Sequence, residues 1–212
     1  MLLEVFIATF ATIISIVDPV GIIPVFKGLT YHYSLEDRKR IIKRTVIFAL
    51  SVLLIFAIFG SVIFYYFGIT IDAFKVAGGI LVFKIGFDML QGERSKSKMT
   101  KEDEDDAYQK EAIALFPLGV PLLAGPGAIA AVMLYMARFE GLDERTIILT
   151  AVILVMLITY VFLIFADKIF DRLGRIGSMA VMRFMGLILA AFAVQIFFEG
   201  LLGLFRAAGL IA

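Results

Sequence analysis

The chain has 212 residues, of which 61% are hydrophobic, and its formal net charge is +1. A soluble domain contains about 45–50% apolar residues, so this composition excludes an ordinary soluble fold. The absence of cysteine excludes disulfides and thiolate metal ligands. The absence of a basic patch with interleaved aromatic residues gives no reason to expect a nucleic-acid partner.

Long uncharged runs alternate with short charged blocks along the chain. Three runs without any charge are Thr45–Ile71, Ala112–Ala137 and Thr146–Ala166. A helix that spans the hydrocarbon core of a bilayer needs about 20 such residues. The sequence therefore predicts an integral membrane protein whose immediate surroundings are lipid, with a single transmembrane domain over residues 1–212.

Six membrane spans are predicted in chain order. Their ranges are Leu2–Phe26, Thr45–Phe67, Ile71–Leu90, Ala112–Ala137, Thr146–Ala166 and Ala180–Phe205. A basic connection, Lys27–Arg44, follows the first span, and a polar linker, Gln91–Glu111, follows the third. The expected fold class is therefore an all-α membrane protein with six transmembrane helices, and the linker is expected to act as a hinge between the two halves.

The distribution of Lys and Arg among the connections predicts the orientation of the chain. Connections 27–44, 91–111 and 167–179 hold six, five and three of these residues, whereas the opposite loops and tails hold three. Cytoplasmic loops carry the excess of Lys and Arg in most membrane proteins. We therefore expect linker 91–111 in the cytoplasm and both termini outside the cell membrane.

The first span contains a helix-breaking sequence, Asp18-Pro19-Val20-Gly21. Proline lacks an N–H group and clashes with the preceding turn, and glycine weakens a helix. Asp18 suits the N-cap of a new half-helix, and Pro19 suits its first turn. A carboxylate this deep in apolar sequence is costly unless it has a partner, which indicates a functional position.

The fourth span contains a corresponding break. Pro117 and Pro121 are followed by Gly125-Pro126-Gly127, where glycine leaves the N–H groups of the next half-helix bare. Freed N–H groups favour a carboxylate, and freed carbonyl groups favour a cation. Two such breaks suit a small zwitterion, while the alternative is a pair of proline kinks without a ligand.

The two halves of the chain match weakly at an offset of 107 residues. Ser15–Pro19 aligns with Leu122–Pro126, and Ala73, Gly79 and Asp88 of span 3 align with Ala180, Gly186 and Gln195 of span 6. Each half has three spans, so the second half must enter the membrane from the opposite side. The expected architecture is two inverted three-helix repeats, residues 1–90 and 112–212, with helices 1 and 4 discontinuous, which is the pattern of secondary transporters.

The paired motifs resemble those of the MarC family of membrane proteins. The matching stretches are Asp18–Phe26, Ala77–Leu81, Pro121–Ile129 and Arg183–Ala190, and the resemblance covers essentially the whole chain. It implies six spans in two inverted repeats. For some members it also implies uptake of small neutral amino acids such as glycine and alanine, driven by an ion gradient.

The candidate substrate-binding residues lie at the two breaks and beside them. They are Thr12, Ser15, Asp18, Pro19, Val20, Gly21, Gly79, Gly125, Pro126 and Gly127. Hydroxyl groups in helices often bond the carbonyl four residues earlier, which is the alternative role of Thr12 and Ser15. Close helix packing is the alternative role of Gly79.

The candidate coupling or gating residues are Asp18, Lys84, Asp88 and Gln195. Ionisable groups within a span usually face the bundle interior or a cavity. Lys84 lies near the centre of span 3, where it could instead form a structural ion pair with Asp88 or Asp18. Asp88 and Gln195 could instead be interfacial anchors at the ends of their spans.

The expected function is secondary active transport of small neutral amino acids coupled to H+ or Na+, without a metal or cofactor. A channel or a regulatory membrane subunit is the first alternative. An intramembrane enzyme is the second, for which a Ser–Lys dyad of Ser15 and Lys84 is conceivable. The sequence contains no HExxH zinc motif and a single histidine, His32, in a basic loop, so no enzymatic activity is expected.

Overall fold

The computed structural model describes residues 2–30, 33–91, 112–139, 141–170 and 174–210. The described residues form helices and short turns, without a strand. The helices are α1 Leu2–Val17, α2 Ile22–Thr30, α3 Leu35–Phe67, α4 Ile71–Gln91, α5 Ala114–Leu123, α6 Pro126–Arg138, α7 Leu142–Phe170 and α8 Gly174–Ala207. The linker 91–111, predicted to act as a hinge, lies outside the described residues except for Gln91. His32 of the basic loop also lies outside them.

Four of the described helical ranges are long and apolar enough to cross a membrane. They are Leu2–Thr30, Leu35–Phe67, Leu142–Ala166 and Met179–Ala207. A fifth arises if α5 and α6, which meet at an angle of 56°, count as one span. Helix α4 is not among them because its 21 residues carry four charges. The all-helical membrane architecture is confirmed, and length and composition support four or five spans where six were predicted.

Helix α3 begins within the predicted basic connection. Ser34 accepts a hydrogen bond from the backbone N–H of Asp37 at 3.2 Å, which caps the helix. The acidic pair Glu36 and Asp37 in the first turn complements the positive end of the helix dipole. The helix ends at Gly68, whose φ of 63° provides the left-handed conformation of a C-cap. The basic residues of this connection are therefore mostly helical rather than in a loop.

Three other helix ends lie further out in the structure than the sequence predicted. Helix α2 continues to Thr30, so Lys27 lies within it and is buried. Helix α7 continues to Phe170 and α8 starts at Gly174, so most of the predicted loop 167–179 is helical. The boundaries shifted because polar and charged residues such as Lys and Arg do not by themselves end a helix.

Helices α3 and α7 contact each other and contribute much of the buried core. Helix α7 buries one face, at Ile148, Val152, Val155, Met156 and Leu163, with the spacing of three, four and seven residues expected of a helix stripe. Helix α3 contacts α7, α5 and α6, and α1 contacts α7 and α6. These contacts bring the interrupted ranges α1–α2 and α5–α6 against the core.

Helices α4 and α8 pack closely through small residues. A Cβ atom built on Gly79 would lie 2.9 Å from the carbonyl oxygen of Ala193, and one built on Gly86 would lie 2.8 Å from that of Gly186. No side chain fits at such distances, so these positions allow the two backbones to approach. Gly79 therefore packs against α8, the alternative role considered for it.

The variant Gly86→Leu is expected to lower the thermal stability of the folded protein, because its side chain meets the backbone of Gly186 and Ala190. Overpacking of this kind costs about 1–3 kcal/mol. The melting temperature of the purified protein in detergent measures the effect. Ala77→Leu is the matched control, because Ala77 is exposed on the same helix. Equal melting temperatures for the two variants would contradict a close α4–α8 contact.

Candidate functional site: the turn at Asp18 and the start of helix α6

Asp18 ends one helix and caps the next. Its N–H donates to the carbonyl of Ile14 at 3.0 Å, as the last bond of α1. Its φ of 44° then turns the backbone into the left-handed region, which Asp tolerates better than most residues. Its Oδ1 accepts a hydrogen bond from the N–H of Gly21 at 2.9 Å, and its carbonyl accepts one from Ile22 at 3.1 Å. The predicted side-chain bond of Asp18 therefore forms, but it caps a turn that leads into α2, because the first helical residue is Ile22 and Pro19 lies in the turn.

The turn after α1 is open on one side. Asp18 and Ser15 are exposed, and Val20 is 61% exposed, whereas Pro19 is buried. Asp18 lies close to the middle of the range Leu2–Thr30, which is long enough to cross a membrane. An exposed carboxylate is therefore located near the middle of a span, a position that is costly against lipid.

Helix α5 is irregular, as its prolines lead one to expect. Phe116 and Val120, each followed by a proline, have extended rather than helical dihedral angles. The residue before a proline is driven out of the helical region by the proline ring. The segment ends at Leu123, and the N–H of Ala124 donates to the carbonyl of Gly119 at 2.8 Å.

Helix α6 starts without a side-chain cap. Gly125 has an extended backbone at the N-cap position and Pro126 is the first helical residue. Because Pro126 has no N–H, the first donors of this helix are the N–H groups of Gly127 and Ala128. The start of α6 thus presents backbone N–H groups and the positive end of a helix dipole.

The start of α6 lies against α1 next to the Asp18 turn. A Cβ atom built on Gly127 would lie 3.3 Å from Cγ2 of Ile16, two residues before Asp18. Gly78 of α4 packs against the ring of Pro126 from another side, where a Cβ atom would overlap Cγ of the proline. Of the two adjacent glycines in α4, it is therefore Gly78, and not the predicted Gly79, that contacts this region.

The hydroxyl groups predicted on α1 have partners within the protein. Ser15 donates to the carbonyl of Ala11 at 2.7 Å, which is the alternative considered for it. Thr12 shares a hydrogen bond of 3.0 Å with the hydroxyl of Tyr135 on α6. Sequence reasoning missed Tyr135, and a tyrosine hydroxyl within an otherwise apolar span was the available signal.

The predicted coupling residues do not form the ion pairs considered for them. Lys84 is exposed on α4, and within the described part of the chain it pairs with neither Asp88 nor Asp18. The side-chain amide of Gln195 donates to Glu199 at 3.0 Å, and both are exposed on α8. The Ser15 hydroxyl donates to Ala11 and not to Lys84, so the conceivable Ser15–Lys84 dyad is not formed among the described residues.

Two further polar groups were not predicted. The hydroxyl oxygens of Thr9 and Thr45 are buried without a hydrogen-bond partner. Among the described residues, no group of three or more His, Cys, Asp or Glu side chains could hold a metal ion. At the two breaks themselves, the polar groups are the Asp18 carboxylate and the backbone N–H groups at the start of α6.

The apolar composition, the long helices and the interrupted ranges define a multi-pass integral membrane protein. The chain belongs to the MarC family, because the model described as MarC family integral membrane protein matches residues 3–205. The predicted resemblance to this family is confirmed.

Several curated relatives cover nearly the whole chain. UPF0056 membrane protein MJ1677 of Methanocaldococcus jannaschii is 44% identical over 95% of this chain and 98% of its own length. UPF0056 membrane protein YvbG of Bacillus subtilis is 33% identical over 97% of this chain and 98% of its own. UPF0056 membrane protein YhcE of Escherichia coli is 31% identical over 95% of this chain and 94% of its own. No solved structure matches the chain.

Proposed function

We propose that this protein is a secondary active transporter of small neutral amino acids, which bind as zwitterions between the Asp18 turn and the start of α6. The observation that carries the proposal is the difference between the two adjacent helix starts. One has an exposed carboxylate as its cap, and the other has no side-chain cap. A zwitterion has the complementary pair of charges close together.

Each charge of the substrate has a counterpart in this arrangement. The ammonium group would bind the Asp18 carboxylate, of which Oδ1 also accepts from Gly21. The substrate carboxylate would bind the N–H groups of Gly127 and Ala128 at the positive end of α6. Val20, Pro19 and Gly125 would line the turn around the substrate.

The close packing around the break favours a small substrate. Gly127 lies against Ile16, which a Cβ atom would displace by a few tenths of an ångström, and Gly78 lies against Pro126, where a Cβ atom would overlap the proline ring. A substrate carboxylate can approach the backbone only where no Cβ atom intervenes. Glycine and alanine have the side chains that require the least additional space.

The exposure of Asp18 supports an aqueous path to the site. A charged side chain near the centre of a bilayer is costly against lipid and usually faces a water-filled cavity. We infer that Asp18, Ser15 and Val20 line such a cavity and that substrate enters through it. The coupling ion would be H+ or Na+, with Asp18, Lys84, Asp88 and Gln195 as the candidate coupling or gating groups.

The α4–α8 contact supports the predicted inverted repeat. Alternating access would depend on such a repeat. The offset of 107 residues relates Gly79 to Gly186 and Gly86 to Ala193. Applying the offset to the Gly79–Ala193 contact gives the Gly186–Gly86 contact, and both contacts are present. A two-fold axis within the membrane that relates the two halves requires such a pair of contacts. The offset likewise relates α1 to α5 and α7 to α3, and the α1–α7 and α5–α3 contacts are both present. These correspondences support two repeats, 1–90 and 112–212, with interrupted helices 1 and 4, moving about a common site.

The test is uptake of labelled glycine by proteoliposomes under an imposed proton or sodium gradient. We expect saturable uptake that stops when the gradient is collapsed and is inhibited by excess alanine. Leucine is the matched competitor, which we expect to inhibit far less because it has the same charges and a larger side chain. Folded protein without uptake of any small neutral amino acid would contradict the proposal. The proposed orientation, with both termini outside the cell membrane, follows from the excess of Lys and Arg in the inner connections.

A further inference from the structure

A hydrogen bond between two side chains joins α1 to α6. The hydroxyl oxygens of Thr12 and Tyr135 lie 3.0 Å apart, and both residues are half-buried. The ring of Tyr135 stacks on that of Phe139, with their centroids 6.4 Å apart, so its position has independent support. The two residues belong to opposite halves of the chain, separated by 123 positions.

This contact lies between the proposed site and one membrane surface. Thr12 precedes Asp18 by six residues, which is about 9 Å along a helix. Between them, Ile16 contacts the start of α6 at Gly127. A solute moving toward the site along the α1–α6 contact, from the side where α1 begins, meets Thr12 and Tyr135 before it reaches Ile16.

The related positions, each in the other half of the chain and both within the described residues, cannot form an equivalent bond. The offset of 107 residues relates Thr12 to Gly119 and Tyr135 to Gly28, and neither glycine has a side chain. At Gly119 the neighbouring group is an aromatic ring, because a Cβ atom built there would lie 2.6 Å from Cδ1 of Phe48. The repeat therefore does not duplicate the Thr12–Tyr135 contact at these described positions.

We propose that Thr12 and Tyr135 form a gate that closes the substrate path on the side where α1 begins. The inference rests on the proposed transport function. The hydrogen bond must break, and α1 must move away from α6, before the site opens to that side. A bond between two neutral hydroxyl groups suits this role because its net contribution is small enough to be broken in each cycle. Thr12 acts in this structure through Tyr135 and not as a ligand of the substrate.

The absence of native cysteine provides a direct test. Ile16→Cys introduces one thiol behind the gate, and a membrane-impermeant thiol reagent is added on the side where α1 begins. Tyr135→Phe, which removes one hydroxyl, is expected to raise the labelling rate about fivefold, equivalent to about 1 kcal/mol. Thr12→Val should raise the rate equally, and the double variant should not exceed either single variant because all three lose the same bond.

The control is Tyr65→Phe, which removes a hydroxyl from a tyrosine that is 89% exposed. Its labelling rate should equal that of the parent. A rate in Tyr135→Phe within twofold of the parent would overturn the gate, as would additive effects of the two substitutions.

Glycine uptake by the cysteine-free parent is measured in parallel and separates the two proposals. Normal glycine uptake by the parent, together with a labelling rate that Tyr135→Phe does not change, refutes the gate and leaves the proposed function standing. Responsive labelling without any amino-acid uptake supports opening of the α1–α6 contact and refutes the proposed substrate.

Discussion

Gly127→Leu is expected to reduce uptake of small amino acids to background while the protein remains folded and inserted. A Cβ atom at this position would already lie 3.3 Å from Cγ2 of Ile16. The longer leucine side chain would occupy the space in front of the backbone N–H groups that the proposed site offers to a carboxylate. Uptake of labelled glycine into proteoliposomes, corrected for the amount of folded protein, measures the effect.

Two variants control for this substitution. Ala137→Leu adds the same side chain to an exposed position on the same helix and should leave uptake unchanged. Gly127→Ala places a single methyl group against Ile16, which must shift by a few tenths of an ångström, so a partial loss is expected. Normal uptake by Gly127→Leu would show that the substrate binds elsewhere.

Asp18→Asn is expected to lower the apparent affinity for glycine about tenfold to a hundredfold, because it removes the charge that would bind the ammonium group. A hydrogen bond to a charged group contributes about 1.5–3 kcal/mol, which corresponds to this range. Asparagine is as good an N-cap as aspartate and tolerates the left-handed backbone. The loss should therefore appear in the concentration dependence of uptake and leave the melting temperature unchanged.

Asp18→Ala separates the two roles of this residue. Alanine has neither the charge nor the cap, and it strains the backbone at a φ of 44°. We expect it to lose stability as well as affinity, with about 1 kcal/mol attributable to the lost cap. An Asp18→Asn protein that binds glycine like the parent would exclude the carboxylate from the site.

The two interruptions could be located from sequence because their causes are local. Proline and glycine disrupt helices through their own backbones, so Pro19, Pro117 and Pro121 indicate irregular structure without reference to neighbours. The cap at Asp18 is likewise a bond within three residues. The uncharged runs predicted the membrane class for a similar reason, since hydropathy depends on the segment alone.

Tertiary contacts were not predictable in this way. Gly78 and Gly79 are adjacent in sequence, yet one contacts Pro126 and the other contacts α8. The choice depends on the rotation of α4 about its axis, which the sequence does not reveal because its apolar residues are not confined to one face. The Thr12–Tyr135 bond depends in the same way on how two distant segments meet. Helix ends also extended past the apolar runs, as at Thr30 and Phe170, because polar and charged residues can continue a helix.

The contact of Gly78 with the ring of Pro126 makes the two positions dependent on each other. A methyl group at position 78 would overlap the proline ring, so each residue limits what the other can be. Among relatives of this chain, a larger residue at the first of these positions should occur only together with a smaller one at the second. The start of α6 is thus constrained by α4, which contributes no group to the proposed ligand contacts. Sequence variation at the start of α6 should therefore correlate with variation in α4 as well as with the substrate.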